Sequence, residues 1–492
     1  MLTGDDAYQT ATALAAAVAN RQISSREVVD RAIARIEALD GVINAVVVRD
    51  FDRARQAALA ADRRVAKGDR LPLLGVPITV KEQFDVADLG KCWGNPAQRD
   101  TRSTTDAVAV SRLKANGAIL LGKTNVSFML ADYQCNNAVY GCTGNPWDSA
   151  RTAGGSSGGS AAALAAGYVS LELGSDLGGS LRLPAHFCGV YALKPSLDII
   201  PLRGGQPPPL PPRPRLGDLA TGNWPVAGPM ARCAADLALA LGLLAAPDEL
   251  AEGKAYRLKL PAAGQTDLRD FRLLLLDRHP LCPTAGVIGA AMESLADRLE
   301  RAGARVLRDS DALPDLAETT RIFAQLLSAR IAADLPDAAL LQIGDAIAAL
   351  APDDTSLAAL RLRAMQLTQR SFSQISNRCA VLAQRWRLLF DRVDLILCPA
   401  APVTAFAHDT RPFAQRRIDV DGQSVDYGAL SVWAAIASLA GLPATMAPIG
   451  RDADGLPIGV QIIGGFLEDR TTIAFAGLLE RAFGGFVPPR LG

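Results

Sequence analysis

Two Gly-Gly-Ser triplets constrain this chain more than anything else in it. One lies in Gly154-Gly155-Ser156-Ser157-Gly158-Gly159-Ser160 and the other in Ser175-Asp176-Leu177-Gly178-Gly179-Ser180-Leu181-Arg182. Between them runs an apolar segment of helical length that begins Ala161-Ala162-Ala163-Leu164. Glycine lets a backbone take positive φ and approach other groups closely. A serine on such a turn can face a substrate while neighbouring N–H groups stay free to meet developing negative charge. A Gly/Ser linker has a similar composition, but a linker is not followed at once by residues of the highest helix propensity.

At 492 residues the chain has room for one large α/β domain or for two or three average ones. Lys plus Arg and Asp plus Glu each number 51, so the formal net charge is zero, and no basic run points to nucleic acid or an anionic membrane. Aromatic residues make up 5%, too few for the stacking platforms of single-strand binders. The 8 cysteines are scattered without C-x-x-C or paired metal-ligand spacing, so buried free thiols and no metal are expected. The start, Met1-Leu2-Thr3-Gly4-Asp5-Asp6, is acidic where a secretory signal carries basic residues, and no uninterrupted apolar run reaches membrane-spanning length. These features lead to the expectation of a cytoplasmic protein that acts on a small molecule.

Taken in order, the first 65 residues read as helices: Thr12 to Asn20, Ser25 to Leu39 and Phe51 to Val65. Ser24 and Glu27 offer a capping box for the second. Pro77-Ile78-Thr79-Val80 is β-prone and ends in Lys81, the strand end at which α/β sheets bind ligands. Thr105 to Asn116 reads as a helix and Ala118 to Gly122 as a buried strand, after which Lys123-Thr124-Asn125 turns outward. Residues 201–217 form a proline-rich surface loop. Further helices are expected at Ala234 to Leu244, Val287 to Ala302, Ser431 to Leu439 and Thr471 to Phe483, and residues 315–390 read as mostly helical. Strands are expected at Arg272 to Leu276, Ala304 to Leu307, Asp394 to Cys398, Leu442 to Met446 and Ile458 to Ile463. No repeat and no linker interrupts the alternation, which points to a single α/β/α domain with a mixed sheet covered by helices on both faces.

Gly154-x-Ser156-x-Gly158 formally fits the G-x-S-x-G nucleophile elbow, which needs a strand before it and a histidine after it. The preceding Asp148 to Ala153 is polar and not strand-like. The three histidines, His186, His279 and His408, lie in proline- or loop-rich settings. No Lys-Ser/Thr follows the glycines as a phosphate loop requires. A serine hydrolase without histidine needs another base, and a lysine serves when burial or a nearby cation lowers its pKa. Lys81 is the candidate, with a second serine passing the proton.

With these residues in view, the chain resembles the amidase signature family. Gly154 to Ser160 with Asp176 to Arg182 matches its core, and Gly75-Val76-Pro77-Ile78-Thr79-Val80-Lys81 its lysine motif. Gly122-Lys123-Thr124-Asn125, Asn145-Pro146-Trp147, Gly189 to Pro195, Gly228-Pro229-Met230-Ala231-Arg232, Gly441-Leu442-Pro443-Ala444 and Gly455 to Gln461 follow in order, so the likeness runs from about residue 8 to 485. The resemblance implies a Ser–cis-Ser–Lys triad: nucleophile Ser180, bridging Ser156 after a cis bond from Gly155, and base Lys81. It implies an oxyanion hole from the N–H groups of Leu177, Gly178, Gly179 and Ser180, supported by Ser157, Asp176 and Arg182. It also implies amide hydrolysis through a seryl acyl-enzyme, with neither metal nor cofactor.

Glu82-Gln83 stands where Asp-Asn is usual in the family, and Lys91-Cys92-Trp93-Gly94 where small hydroxyl residues are common; both bear on substrate choice. Asn125-Val126 and Tyr133-x-Cys135 resemble the acyl-pocket segment of the fatty acid amide hydrolase branch, which makes Leu130 and Tyr133 candidates for the pocket wall. Residues 315–390 are a candidate substrate cover. Two other readings stay open: the glutaminase subunit of a tRNA-dependent amidotransferase, and a non-catalytic small-molecule-binding relative. Self-association as a homodimer is open as well.

Overall fold

The computed structural model describes residues 6–207, 224–333 and 335–491. Among these, eleven strands form one sheet: β1 (Val46–Arg49), β2 (Pro77–Lys81), β3 (Ile119–Thr124), β4 (Leu171–Asp176), β5 (Tyr191–Lys194), β6 (Val226–Ala231), β7 (Arg272–Leu275), β8 (Arg305–Leu307), β9 (Leu395–Pro399), β10 (Ala444–Arg451) and β11 (Pro457–Gly464). Their order across the sheet is β1-β3-β2-β4-β6-β5-β10-β11-β9-β7-β8. The sheet is mixed: β3, β2 and β4 are parallel neighbours, and β4 and β6 are antiparallel.

Among the described residues fourteen α-helices flank it: α1 (Ala11–Ala19), α2 (Ser25–Ile43), α3 (Phe51–Ala66), α4 (Val108–Ala115), α5 (Gly158–Ala165), α6 (Arg182–Cys188), α7 (Ala234–Leu244), α8 (Gly286–Arg301), α9 (Leu316–Ala332), α10 (Asp337–Ala348), α11 (Leu357–Ala364), α12 (Gln369–Leu389), α13 (Ala434–Ala440) and α14 (Asp469–Phe483). Helices pack on both faces of the sheet, and successive strand side chains, pointing to opposite sides, fall in different cores. Leu273, Leu275, Leu395 and Leu397 join α7, α8 and α14 in one core, while Leu274, Ile396 and Cys398 join α9, α12 and α13 in another. The domain has the expected α/β/α layering.

The helices with a clear period fall where the sequence places them. Val28, Val29, Ile33 and Ile36 are buried on α2, and Ser24 and Glu27 form the capping box. Ile288, Met292, Leu295 and Leu299 are the buried face of α8. Most of the differences lie in the strands, though α6 also stands where the sequence reading places no helix. β1 interrupts the helical N-terminal region, and β4, β5 and β6 lie where the sequence reading places no strand. β4 carries Glu172 and Gly174, and β6 carries Gly228 and Pro229, residues that argue against strands. Pro229 is tolerated because β6 is paired there only with Leu173 of β4; β5 engages it at Met230 and Ala231. Lys123 and Thr124 do not turn outward but complete β3, fully buried.

Asp148–Thr152, read as non-strand, pairs with Gly144–Asn145 in a two-stranded hairpin outside the main sheet. Part of the proline-rich loop, 208–217, lies outside the described residues.

The parallel run of β3, β2 and β4 brings three carboxyl ends to one edge, where Lys81, Thr124 and Asp176 stand. Over that edge lies α5, every residue of which is buried. Its glycines are structural: a Cβ on Gly159 would run into the backbone of Asn125. Gly159→Ala is therefore expected to cost about 1–3 kcal/mol in chemical denaturation, as overpacking does. Gly242→Ala in α7, where a Cβ meets nothing within 4 Å, is expected to stabilise by about 0.5–1 kcal/mol.

Candidate active site

Lys81 ends β2 and is fully buried. Its Nζ lies 2.7 Å from Ser156 Oγ and 2.9 Å from Ser175 Oγ, and both are hydroxyls. Burial pushes the Lys81 ammonium down to about 7, against the pull of Asp176, Cys135 and Glu172. Glu172 opposes this weakly, because burial raises its own carboxyl to about 7 while Thr124 donates to it at 2.9 Å. A lysine with two hydroxyl partners and no carboxylate bound to it is available in its neutral form near neutral pH.

Ser156 sits on the turn into α5, and the Gly155–Ser156 peptide bond is cis. Gly155 has no room for a Cβ, which would meet the Asp132 carbonyl and the backbone of Tyr133 and Gln134. The two glycine-serine turns are joined directly. The Ser157 N–H donates to the Ser180 carbonyl at 3.2 Å, and its hydroxyl donates to the Ser175 carbonyl at 3.2 Å.

The turn that carries Ser180 is wound around Asp176. This carboxylate accepts from the N–H of Gly179 at 2.9 Å and of Leu181 at 3.0 Å, and from the Arg182 guanidinium at 2.8 and 3.0 Å. Burial works to raise the Asp176 carboxyl, but the Arg182 charge and these hydrogen bonds bring it down to about 2. Arg182 reaches on to the Ala434 carbonyl, Ser438 Oγ and Gln461 Oε1 and is itself wholly buried.

Ser180 is partly exposed, as is Leu177, while Ser156 is buried. The Ser180 hydroxyl and the N–H groups of Leu177, Gly178 and Ser180 make no hydrogen bond among the described residues; the Gly179 N–H is engaged by Asp176. Over Gly178 lies α9: a Cβ there would stand 3.5 Å from Leu327 and 3.8 Å from Phe323. Phe323 in turn meets Trp224, ring centroids 5.4 Å apart.

The structure thus brings together Lys81, Ser156, Ser157, Asp176, Arg182 and the 177–180 turn. Tyr133 is buried in an aromatic group with Phe413 and Tyr427, its backbone against Gly155. Leu130 is half-buried on a single 3₁₀ turn. The unusual residues beside Lys81 satisfy one another. Glu82 accepts from the N–H of Cys92 and Trp93 and from Tyr140 Oη, and Lys91 pairs with Asp85 at 3.0 Å.

One polar group beside the lysine, Ser175, escapes the sequence reading as a partner of Lys81, and Gln83, noted there only as a departure bearing on substrate choice, binds it. The signals are that departure at Gln83, just past β2, and the position of Ser175 at the end of β4.

The elbow reading meets a strand before Ser156 after all, but one of a peripheral hairpin. His186 lies not in a loop but in α6, bonded to the Gly459 N–H at 2.9 Å; His279 bonds Thr320, and His408 lies beside Cys142. No histidine hydrogen-bonds either serine among the described residues, and no cluster of three or more His, Cys, Asp or Glu there could hold a metal.

Comparison with known proteins defines the class, an amide hydrolase. The amidase family model matches residues 27–473, and the chain belongs to the amidase signature family. It is 34% identical to the putative amidase AmiB2 of Mycobacterium tuberculosis over 97% of each chain. It is 32% identical to fatty-acid amide hydrolase 2-A of Danio rerio, over 98% of this chain and 90% of that protein. A bacterial aryl acylamidase of the amidase signature family superposes with a TM-score of 0.80 at 26% identity, covering 97% of this chain and 96% of its own. A glutamyl-tRNA(Gln) amidotransferase subunit of Deinococcus radiodurans is also related, 31% identical over 96% of this chain and 97% of its own. No helix among the described residues is long and apolar enough to cross a membrane.

Cutting the Asp176–Arg182 pair leaves a buried carboxylate uncompensated. Arg182→Met is expected to lose about 3–5 kcal/mol, read as a shift of the urea midpoint at unchanged slope.

Proposed function

We propose that the chain hydrolyses carboxylic amides with an apolar acyl or aryl part, through Ser180 as nucleophile, Ser156 as bridge and Lys81 as base. The observation that carries this reading is the buried Lys81 Nζ, 2.7 Å from Ser156 Oγ, with no carboxylate to hold its proton. Neutral Lys81 takes the proton of Ser156, which takes that of Ser180 as the Ser180 oxygen adds to the amide carbon. The relay then runs backwards, protonating the departing nitrogen as the C–N bond breaks. Water, activated by the same relay, cleaves the acyl ester and frees Ser180. The contact between the two serine hydroxyls closes with substrate, as catalytic hydrogen bonds often do.

The N–H groups of Leu177, Gly178 and Ser180 are the donors for the oxyanion, with Gly179 serving the turn. Losing one such donor typically costs about 3–4 kcal/mol of barrier.

The acyl side follows from what lies over Gly178: Phe323 and Leu327 of α9, with Trp224 beside them. These apolar groups favour an uncharged acyl part over the charged main-chain groups of free glutamine. This supports a self-sufficient amidase over a glutaminase subunit. Fatty-acid amide hydrolase, indoleacetamide hydrolase and aryl acylamidase among the relatives fit the same preference. Residues 315–390, which contain α9, serve in this reading as the substrate cover, and side chains alone supply base and nucleophile. Eight free cysteines, seven of them buried, support a reducing cytoplasm as its setting.

Ser180→Ala is expected to abolish turnover of apolar amides without lowering stability, whereas His279→Gln and His408→Gln leave it intact. Turnover by Ser180→Ala at a normal rate contradicts the mechanism. Acylation should also rise with pH along a limb centred near 7, because below it Lys81 is protonated and cannot accept. The groups facing Lys81 set the shape of this limb. Asp176 stays ionised and Cys135 protonated, and Glu172, ionising in the same interval, broadens it. Stopped-flow acylation that slows as pH rises through this range contradicts the assignment of the base.

A further inference from the structure

A neutral lysine has two N–H bonds and one lone pair, so a base in a relay must be turned the right way. Lys81 Nζ lies between two hydroxyls that could each donate to it, Ser156 at 2.7 Å and Ser175 at 2.9 Å. If Ser175 donated, it would occupy the lone pair that Ser156 needs. What decides the matter is the next residue out. Ser175 Oγ is hydrogen-bonded to Gln83 Oε1, and Gln83 Nε2 donates to the Gly205 carbonyl at 2.7 Å.

The orientation of the Gln83 amide is not free. A carbonyl such as that of Gly205 accepts only, so the amide nitrogen must face it and the amide oxygen must face Ser175. Ser175 therefore gives its one proton to Gln83 and can only accept from Lys81. One Lys81 N–H is thereby spent on Ser175, and its lone pair is left for Ser156. Gln83 is itself buried, and the Trp93 indole donates to its main-chain carbonyl at 3.3 Å.

We propose that Gln83 is a positioning residue that sets the direction of the proton relay, holding Ser175 as an acceptor so that the Lys81 lone pair meets Ser156. Donation then runs unbroken from Ser156 through Lys81, Ser175 and Gln83 to the Gly205 carbonyl. This rests on the Ser180–Ser156–Lys81 reading above. It gives a purpose to a residue that departs from the usual pattern beside the lysine.

The test is a double-mutant cycle on the rate at which a fluorophosphonate labels Ser180. Wild type must first carry its adduct on Ser180; an adduct elsewhere sinks the triad and this proposal with it. Given that adduct, Gln83→Leu is expected to slow labelling about tenfold, the equivalent of one lost hydrogen bond. In that variant Ser175 is released to donate to the lysine. Removing it as well, in Gln83→Leu/Ser175→Ala, is therefore expected to cause no further loss or to restore part of the rate. Additive losses overturn the proposal while leaving the triad standing, as does an unchanged rate in Gln83→Leu.

Gln83→Glu guards against a variant that fails to fold. Glutamate keeps the acceptor for Ser175 and loses the donor to Gly205. It is expected to label at close to the wild-type rate on the alkaline plateau, with its acid limb moved to higher pH by the added negative charge. A merely structural role through Gly205 would make Gln83→Glu as slow as Gln83→Leu at every pH, and that result also overturns the proposal.

Discussion

The site depends on one buried ion pair. Asp176 and Arg182 are six residues apart and both withdrawn from water, and the chain between them has to turn back so that they can meet. A carboxylate taken out of water is costly unless its lone pairs are used. Here they are used by Arg182 and by the N–H groups of Gly179 and Leu181. The turn that satisfies Asp176 is the same turn that lifts Ser180 to the partly open edge of the sheet. Arg182 fastens this turn to α13 and β11 through Ala434, Ser438 and Gln461, residues more than two hundred positions further on. α13 and β11 thereby help to hold the site.

Lys81 is governed by the opposite arrangement. It too is removed from water, but its nearest partners are hydroxyls, so the charges of Asp176 and Glu172 offset the cost of burial only in part and its ammonium is held down at about 7. The same burial thus leaves a firm anion at Asp176 and an amine with a lowered pKa at Lys81, and the difference lies in what each is given to bind. Lys123, on the neighbouring strand, shows that burial alone is not enough. It is also brought down, to about 8, yet it is tied to the Gly90 carbonyl at 2.5 Å and hydrogen-bonds no serine among the described residues.

Much of this is legible in the residues and some is not, for physical reasons. The period of α2 and α8 and the capping box at Ser24 are local, and they appear as read. The glycine-serine turns and Lys81 are legible because few other functions call for those residue types in that order. β4 and β6 are hidden because they are buried on both faces. Such strands need not alternate, and Glu172 accepts a hydrogen bond from Thr124 at Oε1 while burial holds its carboxyl up at about 7. The strand at Asp148–Thr152 is polar because most of it is exposed in a hairpin away from the core. The link between Gln83 and Ser175 spans 92 residues and is created by the parallel placement of β2 and β4. No local pattern announces a contact of that kind.

The central claim is that the two glycine-serine turns, meeting over buried Lys81, make Ser180 the nucleophile. Intact-mass measurement after exposure to a fluorophosphonate, with peptide mapping of the adduct, tests it most directly. The expected result is a single adduct on Ser180, formed far more slowly in Lys81→Ala. An adduct on Ser156, or an unchanged rate in Lys81→Ala, would contradict it.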